Sequence, residues 1–463
     1  MRKTFLLTSL LMISIGLPAQ NKYSLDDAWR DAQIKELKQK SPVAQQRSQW
    51  FRNARLGMFI HWNMSSVVCG EISWSKQFYE DDGEHLHKNP RPTLPDCKEQ
   101  EHSGWLKWFK PAVPKEIYDN LYKSFYPGMY NADSIVNTAL AAGVKYIVMV
   151  AKHHDGFCMW DSKYTDYDIM ATPFHRDLLG EMAAACHQKG MKFFIYYSQR
   201  DWHHPDYTSA RIGKYNEYMR NQISELLTKY APVDGIFFDA EAWNGDSTVW
   251  EPERLFKTIY AINPNIIINN RCYAAGDYYT PEQKIGAIDM DNTWESCMTF
   301  TGFWSWHGFT STVIPTQKCL DYLIACAGGN GNLLMDVGPL PTGQIDPREK
   351  NRLLEIGKWL KSNGEAIYST QGGPIKPAKW GTCTRKGKDM YLLINDWSQF
   401  PENLPKMKFK IKSVSIHGNS IDFKTNKDGR TTFIIPDEMK DPYVTVIRIE
   451  TSKDLTGADL IDL

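Results

Sequence analysis

From Gly57 to about Gly364 the chain repeats one unit: a short β-branched or aromatic run, a turn, then a segment of helical period. That repetition narrows the possible folds more than any other feature. The strand candidates are Gly57 to His61, Lys145 to Ala151, Lys192 to Tyr197, Gly235 to Asp239, Asn265 to Asn270, Ala287 to Asn292 and Asn332 to Val337. An eighth is too irregular to read. Between them Asp133 can cap Ser134 to Ala142, and further helices are expected over Asp177 to Lys189, Ser209 to Tyr230, Glu251 to Ile262, Thr316 to Ala327 and Pro347 to Ser362. Strands alternating with helices demand a parallel sheet, and seven or eight such units favour a closed β/α barrel over the runner-up, a doubly wound sheet.

After Tyr368 the pattern changes to short alternating runs: Met390 to Asn395, Met407 to Ile411, Ser413 to His417, Thr431 to Ile435 and Tyr443 to Glu450, with a hairpin turn at Asp428-Gly429. The fold class is therefore α/β: a distorted (β/α)7-8 TIM-like barrel followed by a small C-terminal antiparallel β-sandwich. Three segments are expected: a signal peptide over 1–20, a barrel with an N-terminal helical segment over 21–368, and the sandwich over 369–463. The helical stretch, Leu25 to Arg55, is expected on the outside of the barrel.

The signal peptide is read from Met1, Arg2 and Lys3 before the apolar run Phe5 to Gly16, with Leu17, Pro18, Ala19 and Gln20 as the cleavage region. With no Cys near that point, the expected location is secreted or periplasmic without a lipid anchor, and no other run is long and apolar enough to span a membrane. The chain carries 54 Lys and Arg against 54 Asp and Glu, so it lacks the cationic field that binds nucleic acid. Nine cysteines without C-x-x-C spacing predict few disulfides and no Cys-based metal site.

Chemistry in such a barrel sits at the carboxyl ends of the strands and in the loops that follow. Asp239 ends the apolar run Gly235 to Phe238 there, whereas Asp234 precedes the same strand and lies at the stability face. A second carboxylate, needed for glycoside chemistry, is offered by Glu282 or Glu295, and periodicity does not choose between them. His61, His153 and His154 also fall at strand ends. The adjacent pairs His153-His154 and His203-His204 lack the i, i+4 spacing and third ligand of a zinc helix, so no metal and no cofactor are expected, and His61, His153 and His154 are read as donors to substrate hydroxyls. Gly328-Gly329-Asn330-Gly331 opens no helix and is read as a structural turn. The loop from Trp62 to Asn131, carrying Glu71, Trp74, Trp105 and Trp108, is expected to form a rim of the active-site face. Sixteen tryptophans exceed what a core of this size needs, and many of them fall at or after strand ends.

Gly57-Met58-Phe59-Ile60-His61-Trp62, Lys152-His153-His154-Asp155-Gly156-Phe157, Tyr196-Tyr197-Ser198, Phe237-Phe238-Asp239, Asn269-Asn270-Arg271, Thr280-Pro281-Glu282, Trp294-Glu295-Ser296-Cys297 and Gly331-Asn332-Leu333-Leu334-Met335-Asp336-Val337-Gly338-Pro339 occur in one order. In that order the chain resembles the α-L-fucosidases of glycoside hydrolase family 29. The resemblance implies an exo-acting retaining fucosidase that forms a covalent fucosyl enzyme, with Asp239 as nucleophile and Glu282 as acid/base, Glu295 remaining in reserve. It implies that His61, Glu71, Trp74, His153, His154, Tyr197, Arg271, Glu295 and Trp304 bind the substrate. The implied partner is a fucosylated oligosaccharide or glycoconjugate, and the oligomeric state stays open. Asn63 replaces the Gly usual after His-Trp, and the loop from Phe78 to Pro114 is longer than usual. A related glycosidase for α-L-galactose, or an inactive glycan-binding protein on the same scaffold, are the competing readings.

Overall fold

The computed structural model describes residues 42–77, 112–208, 210–239 and 248–462. The expected signal peptide, residues 25–41 of the helical stretch, most of the long loop with Trp105 and Trp108, and Trp243 lie outside the described residues. Seven parallel strands form one curled sheet: β1 (Leu56–Ile60), β2 (Tyr146–Lys152), β3 (Lys192–Tyr197), β4 (Gly235–Phe238), β5 (Ile267–Ile268), β6 (Glu295–Thr299) and β7 (Asn332–Val337). Their spatial order is β5-β4-β3-β2-β1-β7-β6.

Successive side chains of these strands face opposite sides. Phe59, Val148, Val150, Phe194, Tyr196, Phe237, Cys297 and Leu334 join one buried cluster inside the curl. Met58, Ile60, Ile147, Met149, Ile195, Tyr197, Ile236 and Phe238 join another, beneath the helices. Interior space is filled by aromatics that need glycine opposite them: a Cβ at Gly235 would lie 2.4 Å from the Phe194 ring, and one at Gly57 would lie 2.3 Å from the Tyr146 ring.

The two edges of the sheet are joined by residues 277–283. Asp277 N–H donates to Ile268 O at the β5 edge, while Glu295 N–H donates to Tyr279 O and Cys297 N–H to Pro281 O along β6. This segment runs parallel to its neighbours in isolated bridges, Asn269 with Tyr278 and Glu282 with Cys297, and it is the irregular eighth element of the curl. The expected strand Ala287 to Asn292 is instead turn and coil, and β6 begins three residues later. There Glu295 and Thr299 flank Cys297 on the interior face, so the run lacks a continuous apolar signature.

Six longer helices follow the expected places: α3 (Ala132–Ala141), α4 (Leu178–Gln188), α5 (Ile212–Lys229), α6 (Pro252–Ile262), α7 (Thr316–Gly328) and α8 (Pro347–Asn363). Ahead of β1 come α1 (Pro42–Arg47), whose Arg47 reaches Tyr260, and α2 (Gln49–Ala54), which does not pack outside the barrel as expected. Phe51 of α2 lies 5.1 Å from the Tyr146 ring, 5.9 Å from Phe194 and 4.7 Å from Tyr278, so it plugs the amino end of the curl. The Gly328-Gly331 turn is structural: a Cβ at Gly331 would sit 2.2 Å from Trp294, whose Nε1 donates to Gly329 O at 3.1 Å.

The C-terminal part is an antiparallel sheet of β8 (Gln371–Gly372), β9 (Gly381–Lys386), β10 (Asp389–Ile394), β11 (Ile411–Ile416), β12 (Asn419–Ser420) and β15 (Thr445–Thr451), ordered β8-β9-β10-β15-β11-β12. A separate hairpin, β13 (Asp422–Thr425) with β14 (Thr431–Ile434), turns through Gly429 at φ +87°. Met407 to Lys410 form no strand. The sheet docks on the barrel helices, Trp359 Nε1 of α8 donating to Val444 O at 3.0 Å. Each of the eight described cysteines is a free thiol. Among the described residues no helix is long and apolar enough to cross a membrane.

Candidate active site

Asp239 follows β4 with the parity of Phe237, which turns its side chain into the mouth of the curl. Its Oδ2 accepts the Tyr196 hydroxyl at 2.7 Å and its Oδ1 accepts Arg271 Nη1 at 2.9 Å. Arg271 stands in the loop after β5, held by Thr280, whose Oγ1 accepts Nε at 2.7 Å, and over the Phe237 ring at 5.2 Å. The same Nη1 lies 2.8 Å from Glu282 Oε2. One nitrogen thus touches both carboxylates, and the two oxygens can be no farther apart than the sum of those contacts, about 5.7 Å. The two side chains keep 25% and 32% of their surface exposed, enough for both to meet a ligand. Burial opposes ionisation of Asp239, but the Arg271 guanidinium and the Tyr196 hydroxyl outweigh it and hold the carboxyl below its ordinary range.

Three histidines flank this pair. His61 continues β1, and its Nδ1 lies 2.6 Å from Asp336 Oδ1 on β7. Its ring is 4.8 Å from Trp304 and 5.4 Å from Tyr196. A bulge in the β2–β3 pairing after Val150 turns Lys152 outward and brings His153 and His154 in. His153 Nδ1 meets Ser73 Oγ at 2.6 Å, its ring stacked on Tyr196, and His154 Nδ1 meets Ser198 Oγ at 2.6 Å. His154 Nε2 lies 3.9 Å from Asp239 Oδ2. Burial drives His61 down to about 3 and His153 well below its ordinary value, so both rings are neutral.

His153, His154 and Asp239 each offer an atom within 4.8 Å of the others, a spacing a metal ion could use. The donor set speaks against one: the Asp239 oxygens already receive a hydroxyl and a guanidinium, and a cation there would face Arg271.

The remaining expected residues divide. Trp74 stands edge-on to His154 at 5.3 Å and to Trp202 at 5.5 Å, and Trp304 covers His61, so both tryptophans line the cavity. Glu71 is wholly buried and accepts Ser305 N–H at 2.9 Å and Trp304 N–H at 3.1 Å. It clamps the Trp304 loop, and burial against these donors leaves its carboxyl pushed up to about 7.

Tyr197 and Glu295 are not brought to the cluster. Tyr197 faces the helices, its hydroxyl donating to Gln222 Oε1 at 2.7 Å. Glu295 sits at the amino end of β6, in register with the start of β7, and accepts the Tyr146 hydroxyl deep in the curl. Burial, only partly countered by Tyr146, pushes it up to about 8.

Residues that sequence reasoning passed over are Tyr196, Asp336 and Ser73, whereas Trp202 is one of the tryptophans expected at strand ends. For Tyr196 the sequence carries no signal, because Tyr197 beside it is identical; it is the register with Phe237, two residues before Asp239, that turns Tyr196 inward. Asn63, which replaces a glycine of the resemblance, has φ −164°, extended backbone that any residue adopts, and its Oδ1 caps the short helix after it while Nδ2 donates to Asp155 at 2.7 Å.

Residues 25–365 match the family model described as alpha-L-fucosidase. Tissue alpha-L-fucosidase of Homo sapiens is 28% identical over 382 residues, covering 76% of each chain. Among solved structures, alpha-L-fucosidase isoenzyme 1 from Paenibacillus thiaminolyticus superposes with a TM-score of 0.76 at 30% identity, over 89% of this chain and 100% of that one. A GH29 alpha-L-fucosidase from Bacteroides thetaiotaomicron, trapped as a covalent intermediate with 2-fluoro-fucosyl fluoride, superposes with a TM-score of 0.72 at 26% identity, over 89% and 96% of the two chains.

Proposed function

The chain belongs to the alpha-L-fucosidase family of glycoside hydrolases, and from that premise we propose that it is an exo-acting, retaining α-L-fucosidase with Asp239 as nucleophile and Glu282 as acid/base. The observation that carries this pairing is the single guanidinium nitrogen shared by both carboxylates. Its two contacts bound their oxygens to about 5.7 Å, in keeping with the ~5–5.5 Å of retaining enzymes and below the ~6.5–9.5 Å that an inverting enzyme leaves for water. The covalent intermediate trapped in the Bacteroides thetaiotaomicron relative supports the same course.

In the first step Asp239 Oδ forms a bond to the anomeric carbon as the glycosidic C–O bond breaks, and the Glu282 proton passes to the departing oxygen. In the second, Glu282 takes a proton from water, the water oxygen bonds to the anomeric carbon, and the bond to Asp239 breaks. Arg271 and Tyr196 keep Asp239 ionised for attack. Terminal fucose, a 6-deoxy sugar, needs hydrogen-bonding groups on one side and an apolar wall for its methyl on the other. His61, His153 and His154 supply the first; Trp74 and Trp304 supply the second. Glu71 serves through Trp304, and Tyr197 and Glu295 have no contact role in this reading.

The substrate would be a fucosylated oligosaccharide or glycoconjugate met after export. We read residues 21–368 as the catalytic unit and 369–463 as its packing support. The test is to trap the protein with a 2-deoxy-2-fluoro-fucosyl donor and map the modified peptide. Label on Asp239 is expected; label on any other residue refutes the assignment.

A further inference from the structure

Behind the histidines lies a buried polar network with no part in the chemistry above. Ser73 is wholly buried and has φ +60°, a left-handed conformation that L side chains adopt at a cost and that recurs where function holds it. Its N–H donates to the Tyr118 hydroxyl at 2.8 Å, which in turn donates to Asp155 Oδ2 at 2.7 Å. Asp155 N–H donates to Ser73 Oγ at 2.8 Å, and Ser73 Oγ is 2.6 Å from His153 Nδ1.

The direction of that last bond follows from the others. Ser73 Oγ already accepts from Asp155, and among the described residues the acceptor its own hydrogen meets is His153 Nδ1. Most buried hydroxyl hydrogens are paired, and the one arrangement that pairs this hydrogen has Ser73 donating and Nδ1 accepting. His153, neutral through burial, then carries its ring hydrogen on Nε2. The corresponding contact of His154 fixes nothing, because Ser198 Oγ has a second acceptor, Arg200 O at 3.1 Å.

We propose that Ser73 is a positioning residue that locks His153 as the Nε2–H tautomer, so that His153 donates a hydrogen bond to an oxygen of the bound sugar. The inference rests on the fucosidase reading for the identity of that sugar alone. It also accounts for a serine where glycine would relieve the backbone: the hydroxyl is kept for the histidine.

Ser73→Gly separates the two effects, since it removes the hydroxyl and relaxes φ. Relief of φ offsets part of the cost of leaving the Asp155 N–H without its acceptor, so we expect at most a modest fall in the unfolding midpoint while kcat/KM for an aryl α-L-fucoside falls about tenfold, chiefly through KM. Histidine ¹⁵N spectra of the substrate-free protein, with His153 assigned by its loss in His153→Gln, should show Nε2–H in the parent and a tautomer mixture in Ser73→Gly. A parent His153 protonated on Nδ1, or an unchanged kcat/KM in the variant, overturns the proposal. So does activity lost together with stability while the His153 signal is unmoved, which would make Ser73 merely structural. The spectra are read without substrate, so a parent protein that fails to cleave fucosides would refute the function above and leave this test standing.

Discussion

Tyr196 holds the carboxylate of Asp239 through a 2.7 Å hydrogen bond from its hydroxyl, while the next residue, Tyr197, turns its hydroxyl to Gln222 on the other side of the sheet. Adjacent tyrosines on one strand therefore serve opposite faces, and their variants should part. Tyr196→Phe removes a donor that lowers Asp239, so the acidic limb of the kcat/KM profile should move to higher pH and the rate at its optimum should fall roughly 10- to 100-fold. Tyr197→Phe should leave both unchanged and cost about 1 kcal/mol of stability. pH–rate profiles of the two variants against the parent check this.

Glu282→Ala should lower kcat by about 10²- to 10⁴-fold for fucosides with poor leaving groups, and far less where an activated aryl leaving group needs no proton. Azide should restore turnover and give a fucosyl azide that retains configuration. A uniform loss across leaving groups would count against Glu282 as the acid.

Glu295→Gln should keep catalysis and change the pH dependence of stability. The buried carboxyl rises from 4.5 to about 8, so between those values the folded state binds a proton that the unfolded state has released. Its contribution to stability therefore declines as pH rises from about 4.5 and levels off above about 8. The glutamine variant lacks that decline, and its advantage in unfolding midpoint over the parent should widen across this window. Parallel profiles would show that the carboxyl is not held protonated.

Lys152 and Asp201 form an ion pair in which both side chains are almost fully buried, Nζ to Oδ2 3.1 Å, against the Tyr197 ring. Asp201→Ala leaves an uncompensated buried ammonium and should cost about 3–5 kcal/mol in chemical denaturation. Adding Lys152→Met should recover part of that loss. Because Trp202 N–H donates to His154 O at 2.7 Å from the same loop, KM should rise in the single variant as well.

Much of the barrel was legible because β1, β2, β3 and β4 are largely apolar on both faces and read as runs bounded by turns, and β7 reads as one through Leu333 to Met335 despite Asp336. β6 was not, since Glu295, Ser296 and Thr299 interrupt it, and the weaker run from Ala287 was taken in its place. Strand ends likewise pointed to Asp239, His61, His153 and His154. Which of Tyr196 and Tyr197 faces inward was illegible, because two identical side chains carry no alternation. Asp336 and Ser73 went unread for another reason: each acts through a histidine brought near only by the tertiary fold. Tryptophan surplus had two destinations, Trp74, Trp202 and Trp304 around the cavity, and Trp62, Trp160, Trp250 and Trp294 fully buried elsewhere.

The segment that joins β5 to β6 gives the two carboxylates unlike mountings. Asp239 hangs from a strand laddered on both sides, while Glu282 rides on a seam stitched by a few isolated bridges. A nucleophile meets one atom from one direction and gains from stiffness. In the mechanism proposed above, the acid that later turns base must serve a departing oxygen and then an arriving water, and a seam of isolated bridges ties it to the barrel at fewer points than the ladders beneath Asp239.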